Sequence, residues 1–195
     1  YDDAGEVEGS TIDGYFANIS RTRREGIELA SRAALPGGHS VYANYALTRA
    51  TFQTTADIFS IREEAGGEND VEPGDHLPLV PEHTGRAGVE LALPRGLELG
   101  LDVRYTGSQW LRGDEANDAA PLPAYTVADV RLGVTVGAWG VQAIVNNLFD
   151  TGYATFGTFN LNQGAADRLE RFLTPGQPRM LRLIVRRGFG AEDEE

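Results

Sequence analysis

Few residues of this 195-residue chain are spaced for chemistry. His76, Glu82 and His83 come nearest to a metal-ligand set. His76 stands well apart from the other two, and the set lacks the one-turn spacing by which a helix aims two histidines at one ion. The third histidine, His39, follows a Pro-Gly-Gly turn. The absence of cysteine excludes thiolate metal centres and disulfides. There is no Ser-His-Asp constellation, no phosphate-cradling glycine loop and no Gly-x-Gly-x-x-Gly. Asn18-Ile19-Ser20 matches a glycosylation triplet, a pattern short enough to recur by chance. No catalytic residue, metal site or cofactor is expected.

Charge narrows the partners. The net charge is −12 and the sequence pI about 4.7. That balance argues against nucleic acid, whose binding needs basic patches, and against a polybasic membrane-surface protein. The acidic excess lies mostly in residues 1–13, 57–75 and 192–195, where it serves the solubility of exposed segments or the attraction of cations. No run approaches the roughly 20 apolar residues of a transmembrane helix. The chain starts at Tyr1 and its only methionine is Met180, so processing or excision is expected upstream.

The elements have a period of two. Leu97, Leu99, Leu101, Val103 and Tyr105 fall on one side of a strand, with Glu98, Gly100, Asp102, Arg104 and Thr106 on the other. The same division recurs with Ile27, Leu29 and Ala33 against Glu28 and Arg32. It recurs with Ala87, Val89, Leu91 and Leu93 against Arg86 and Glu90. Ala128, Val130, Leu132, Val134 and Val136 oppose Asp129, Arg131 and Thr135, and Leu181, Leu183 and Val185 oppose Arg182 and Arg186. Two further strands are expected around residues 41–52 and 141–148. About seven strands result, pairing in sequence as an antiparallel meander.

The connections alternate in length. Pro36-Gly37-Gly38-His39, Pro94-Arg95-Gly96 and Gly137-Ala138-Trp139-Gly140 read as tight turns. Residues 57–81, 112–123 and 150–177 read as long polar loops. A soluble sandwich or small barrel also alternates, with its apolar side inward. Strands near the roughly 9–11 residues of a bilayer crossing, tight turns at one end and long loops at the other favour a transmembrane barrel. Leu99, Leu101 and Val103 then face lipid, and Asp102 and Arg104 face the lumen. Tyr42, Tyr45, Tyr105, Trp110, Tyr125, Trp139, Phe149 and Phe189 sit near strand ends, where interfacial girdles lie.

Several motifs carry a resemblance. They are residues 18–29 with Arg24-Glu25-Gly26-Ile27-Glu28-Leu29, then His76-Leu77-Pro78-Leu79-Val80-Pro81-Glu82-His83. Next come Pro123-Ala124-Tyr125-Thr126-Val127-Ala128-Asp129, then Asn146-Asn147-Leu148-Phe149-Asp150 with Tyr153, and Pro175-Gly176-Gln177-Pro178-Arg179 before the last strand. In this order the chain resembles the C-terminal part of the barrel of TonB-dependent receptors. Asn147 and Asp150 are suited to bond local backbone where the strand leaves the sheet, and Gly26 to close packing or to a bend in a curved sheet.

The resemblance implies an all-β transmembrane antiparallel meander, a part of a barrel of roughly twenty-two strands around a plug. Seven strands cannot close such a barrel. Residues 1–189 are therefore expected to be the C-terminal part of the barrel domain with the plug absent, and residues 190–195 an acidic tail. The implied function is energy-coupled import of a scarce nutrient, such as an iron–siderophore complex, across the bacterial outer membrane. The implied partners are the rest of the barrel and its plug, the TonB complex, an iron chelate, and outer-membrane lipid and lipopolysaccharide. A small passive or structural barrel and a soluble β-sheet binding module are the alternatives. Trp110, Arg112 and Tyr153, at strand–loop junctions, are the expected ligand contacts. An aromatic can cover an apolar chelate face, and an arginine can pair with an anionic one.

Overall fold

The computed structural model describes residues 21–57, 70–162, 164 and 168–189. The acidic stretch 1–13, residues 18–20 of the first motif, most of the 57–75 segment and the tail 190–195 lie outside them. The strands are β1 (Thr22–Leu35), β2 (His39–Phe52), β3 (Ala56–Asp57), β4 (Asp70–Val71), β5 (His83–Leu93) and β6 (Leu97–Thr106). They continue as β7 (Tyr125–Val136), β8 (Trp139–Asn146), β9 (Ala154–Asn162), β10 (Arg168–Pro175) and β11 (Met180–Arg187). Seven of them form one antiparallel sheet in the order β1-β2-β5-β6-β7-β8-β11, the expected meander.

The register turns the alternation into two chemically distinct faces. Ala33 lies opposite Val41, Val41 opposite Val89, Val89 opposite Leu101, and Leu101 opposite Val130. Val145 and Leu181 extend that apolar row across β8 and β11. One residue along, Arg32, Tyr42, Gly88, Asp102 and Asp129 make a polar row on the other face. A one-residue slip would exchange the two faces of a strand, so their chemical difference makes the register a strict one. The expected opposition of Leu99, Leu101 and Val103 to Asp102 and Arg104 is present in β6.

Among the described residues much of the apolar face is exposed. Ile27, Leu29, Leu101, Leu132, Leu181 and Leu183 are all exposed. Phe52, Val71, Leu111 and Leu122 are buried, at or beyond the end of the sheet that carries the long connections. There the chain builds a cap. A two-residue β3–β4 pair and the β9–β10 hairpin lie inside segments expected to be plain loops. The hairpin corrects the reading of residues 150–177. Its adjacent Phe172 and Leu173 break the period of two, because its pairing partners and the loop around Leu111 supply its order instead of a continuous sheet face.

Two smaller corrections concern ends and aromatics. His39, Trp139 and Gly140 belong to strands, which leaves Pro36-Gly37-Gly38 and Gly137-Ala138 as turns. Tyr45, Tyr105 and Trp139 lie on the apolar face, as girdle residues should. Tyr42 and Tyr125 fall in rows of the charged face and Trp110 lies in the cap, so these three are not girdle residues. At the tight-turn end the Arg187 guanidinium sits 5.2 Å from the Trp139 ring centre and 4.9 Å from that of Phe189. Both are cation–π distances.

Candidate functional site

The charged face is cross-linked. Arg131 on β7 reaches Glu90 on β5 at 2.8 Å, passing over β6 at Gly100. A side chain at that position would meet the guanidinium, whose nearest nitrogen lies 3.2 Å from where a Cβ would stand. Glu90 also accepts from Ser40 at 3.2 Å and faces Arg32 at 3.5 Å. Asp102 pairs with Arg86 at 2.8 Å and accepts from the Tyr42 phenol, whose ring lies over the side-chain-free Gly88. Arg104 pairs with Asp129 at 3.2 Å. Neutralised in this way, five strands present a polar wall suited to water or to a polar partner, and unsuited to lipid.

Asp129 links this wall to the cap. Its carboxylate accepts the Asn147 backbone N–H at 2.8 Å. The Asn147 side chain donates to the Thr151 and Gln177 carbonyls at 2.9 and 3.0 Å and accepts from the Thr151 N–H at 2.9 Å. Asp150 accepts from the Arg179 N–H at 2.9 Å. Both residues have positive φ, 49° and 53°, which Asn and Asp tolerate better than most side chains. Their expected role, bonding backbone where the strand leaves the sheet, is therefore observed, and it ties both ends of the 147–179 connection together.

The three connections of the cap interlock. The Leu79 N–H donates to the Trp110 carbonyl at 2.9 Å. The Asn117 side chain accepts the His76 N–H at 2.6 Å and donates to the His76 carbonyl at 3.0 Å. Arg112 pairs with β9 through its backbone, its N–H donating to the Gly157 carbonyl at 3.1 Å and its carbonyl accepting from Phe159 at 3.0 Å. The buried Asp114 carboxylate accepts the Asp118 and Ala119 N–H groups at 3.1 and 3.2 Å, closing the 112–123 connection on itself. Of the metal candidates weighed in the sequence, His83 instead bonds the Tyr45 hydroxyl at 2.8 Å.

The expected ligand contacts separate within this cap. Gln109 and Leu111 are buried, while Trp110 between them is half-buried and Arg112 exposed. Trp110 and Arg112 thus share the outward side of one segment. Tyr153 stands elsewhere, stacked on Tyr125 with ring centres 4.3 Å apart and planes 29° from parallel. Those two rings, with Leu122, Pro123, Leu173 and Pro175, line a cavity of 490 Å³ with no charged side chain among the described residues that line it. Tyr125 and Leu122 were missed by the sequence reading. The available signal was parity, because Tyr125 falls on the charged side of β7 with Asp129 and Arg131 although its ring is mostly apolar.

The fold has known relatives. Residues 1–148 match the family described as TonB dependent receptor-like, beta-barrel. The chain is 32% identical over 166 residues to the ferrichrome outer membrane transporter/phage receptor of Escherichia coli (strain K12), an alignment covering 78% of this chain and 20% of that protein. Among solved structures, the ferric yersiniabactin uptake receptor FyuA from Yersinia pestis superposes with a TM-score of 0.66 at 21% identity. That match covers 87% of this chain and 24% of the receptor. The ferric-catecholate import receptor Fiu of Escherichia coli K12 superposes at 0.59 with 26% identity, over 84% of this chain and 20% of Fiu. The chain therefore spans about a fifth to a quarter of the length of these relatives.

Proposed function

The chain belongs to the TonB-dependent receptor-like β-barrel family of the bacterial outer membrane, a family of transporters and not enzymes, and from that premise we propose that it serves energy-coupled import of an iron chelate of the siderophore type. In this reading residues 1–189 are the C-terminal part of the barrel. The apolar face meets outer-membrane lipid and lipopolysaccharide, and the charged face lines a lumen occupied by a plug. The remaining barrel strands, the plug and the TonB complex are the partners. The cap stands on the cell exterior, because the tight turns take the other end of the sheet.

One observation carries the reading: the long connections form a single interlocked cap that holds Trp110, Arg112 and Tyr153 at the same end of a barrel wall whose inner side is charged. Long connections on a rigid scaffold are where binding residues concentrate. The relatives named above are, by their names, carriers of ferrichrome, ferric yersiniabactin and ferric catecholates.

The test belongs in the full-length receptor. Cells expressing it are to take up radioactive iron from its cognate chelate, and only when TonB is present. Trp110→Ala and Arg112→Ala, each made separately, are expected to lower uptake while heat-modifiable barrel accumulates in the outer membrane at the normal level. Uptake indifferent to TonB would exclude energy coupling. Normal uptake by both variants would move capture to other parts of the receptor.

A further inference from the structure

The charges of the polar wall are unevenly paired. On β5, β6 and β7, Arg86, Glu90, Asp102, Arg104, Asp129 and Arg131 satisfy one another. β8 and β11 carry no carboxylate, and β11 reads Met-Leu-Arg-Leu-Ile-Val-Arg-Arg. Arg182 lies opposite Ile144 in the row of Arg131, and Arg186 lies opposite Gly140, so both belong to the charged face. Both are exposed, and among the described residues neither has an ion-pair partner. Arg182 donates to the Asn146 side-chain oxygen at 3.2 Å. Arg187 belongs to the other face, where the rings of Trp139 and Phe189 already hold it.

Matching counter-charges come next in the chain. Glu192, Asp193, Glu194 and Glu195 follow Phe189 after only Gly190 and Ala191. Adjacent carboxylates repel one another and gain most from cations close by. The Gly188 N–H donates to the Ala138 carbonyl at 2.8 Å, which fixes where the chain leaves β11. Glycine at 190 admits a sharp reversal that other residues resist. Six residues span at most about 20 Å, and the distance back along the strand from Phe189 to Arg186 is only about 10 Å. Side-chain length brings the Arg182 guanidinium within reach as well. Along this path Gly133, Gly140, Gln142, Ile184 and Arg186 line a hollow of 120 Å³, with Glu98 the one carboxylate on its rim. That volume suits a carboxylate side chain and no larger partner.

We propose that residues 190–195 fold back over the charged side of β11, where Arg182 and Arg186 bind the carboxylates of Glu192, Asp193, Glu194 and Glu195. This rests on the barrel reading, which makes the charged face a lumen, and not on the nature of the imported cargo. The tether holds the carboxylates at a roughly millimolar local concentration or above, so pairs that are individually weak suffice together. The docked tail covers the arginines at the tight-turn end of the wall and withholds them from other anionic partners. Salt releases it, because exposed ion pairs are screened.

Cross-linking in the purified full-length receptor tests this, with Glu195→Cys in the tail and Gln142→Cys on the charged face of β8. The chain has no cysteine of its own, and any elsewhere in the receptor is replaced by serine. Under copper–phenanthroline oxidation at low ionic strength, the disulfide is expected to form about tenfold faster than in about 1 M salt, where the Debye length is about 3 Å. Amides in the tail (Glu192→Gln, Asp193→Asn and Glu194→Gln together) are expected to slow it as far, and so is Arg182→Gln combined with Arg186→Gln. Reversing both sides, with Arg182→Glu and Arg186→Glu against Glu192→Arg, Asp193→Arg and Glu194→Arg, is expected to restore the rate. A merely structural role for the arginines gives no such rescue.

A rate indifferent to salt, or one that persists with the amide tail, would overturn the docking while leaving the barrel standing. The amide tail leaves every described strand unaltered, so a folding defect in the sheet cannot produce that result. Slowing by the arginine variants without slowing by the amide tail would assign Arg182 and Arg186 to another anionic partner, such as an acidic part of the plug, and would also overturn it. The barrel reading fails separately. A receptor without heat-modifiable migration that keeps the salt-dependent cross-link would support the docking and remove the lumen.

Discussion

Leu183 on β11 leaves 69% of its surface exposed, whereas Leu111 in the cap leaves 0%. The same side chain meets two different solvents within one chain. In the sheet the apolar row from Ala33 to Leu181 is half-buried to exposed among the described residues, and in the proposed reading the hydrocarbon of the bilayer takes the place of a core. In the cap, Phe52, Val71, Leu111 and Leu122 are enclosed by the chain itself, as in a water-soluble domain. Polar groups follow the same division. The sheet pairs its charges side chain to side chain across strands, as Arg131 does with Glu90. The cap satisfies its buried Asp114 and Asn147 with backbone groups of its own connections, whereas the Arg131–Glu90 pair belongs to the sheet. The barrel wall is thus stabilised by its environment and by long-range pairing, and the cap by its own packing.

That contrast can be broken most sharply at Leu111. Leu111→Ala removes a fully enclosed side chain that packs over Gly157 beside Leu173, and is expected to lower the local stability of the cap by about 2–5 kcal/mol. Native-state hydrogen exchange on the full-length receptor should show faster exchange at Arg112, Gly157 and Phe159, with β5–β7 unchanged. Loss of protection in the barrel strands as well would mean that the two regions form one cooperative unit.

The complementary change lies in the sheet. Leu101→Arg places a charge on the apolar face near the middle of β6 and is expected to destabilise the barrel by about 2–4 kcal/mol. Denaturant unfolding in lipid vesicles measures it, and the cap's own exchange pattern should persist below the transition. A neutral effect would show that the face meets water. In that case the lipid reading of the whole row fails.

The smallest expected effect sharpens the comparison from the charged side. Gly100→Leu fills the gap through which Arg131 reaches Glu90. The two side chains are 41% and 42% exposed, so screening limits the loss to roughly 1 kcal/mol or less. The difference from the unaltered protein should shrink further as salt is raised from low ionic strength. A loss above about 2 kcal/mol would mean that the wall is drier than the isolated sheet shows, closed over by another part of the receptor.

Alternation by itself determined the seven-stranded meander, the two faces of each strand and the end that carries the long connections. A side chain on a strand has only two directions to point, so composition along the chain maps directly onto facing. The motif containing Asn147 and Asp150 was legible in part: short polar side chains suit backbone bonding at a strand end, as Asn147 does with Thr151, whereas the bonds to Gln177 and Arg179 bridge about thirty residues and were not. What lay beyond local reach was the cap. The burial of Leu111, the β9–β10 hairpin and the Tyr125–Tyr153 wall depend on contacts between connections separated by one or more strands of the sheet, and no period along the chain records them. Tyr153 was singled out from its type and position, but its partner Tyr125 and the cavity between them arise only because β7, the 147–179 connection and Gly176 converge. The crossing of Arg131 over Gly100 is of the same kind: each residue is visible in its own strand, and only the register of three strands places the guanidinium against Glu90.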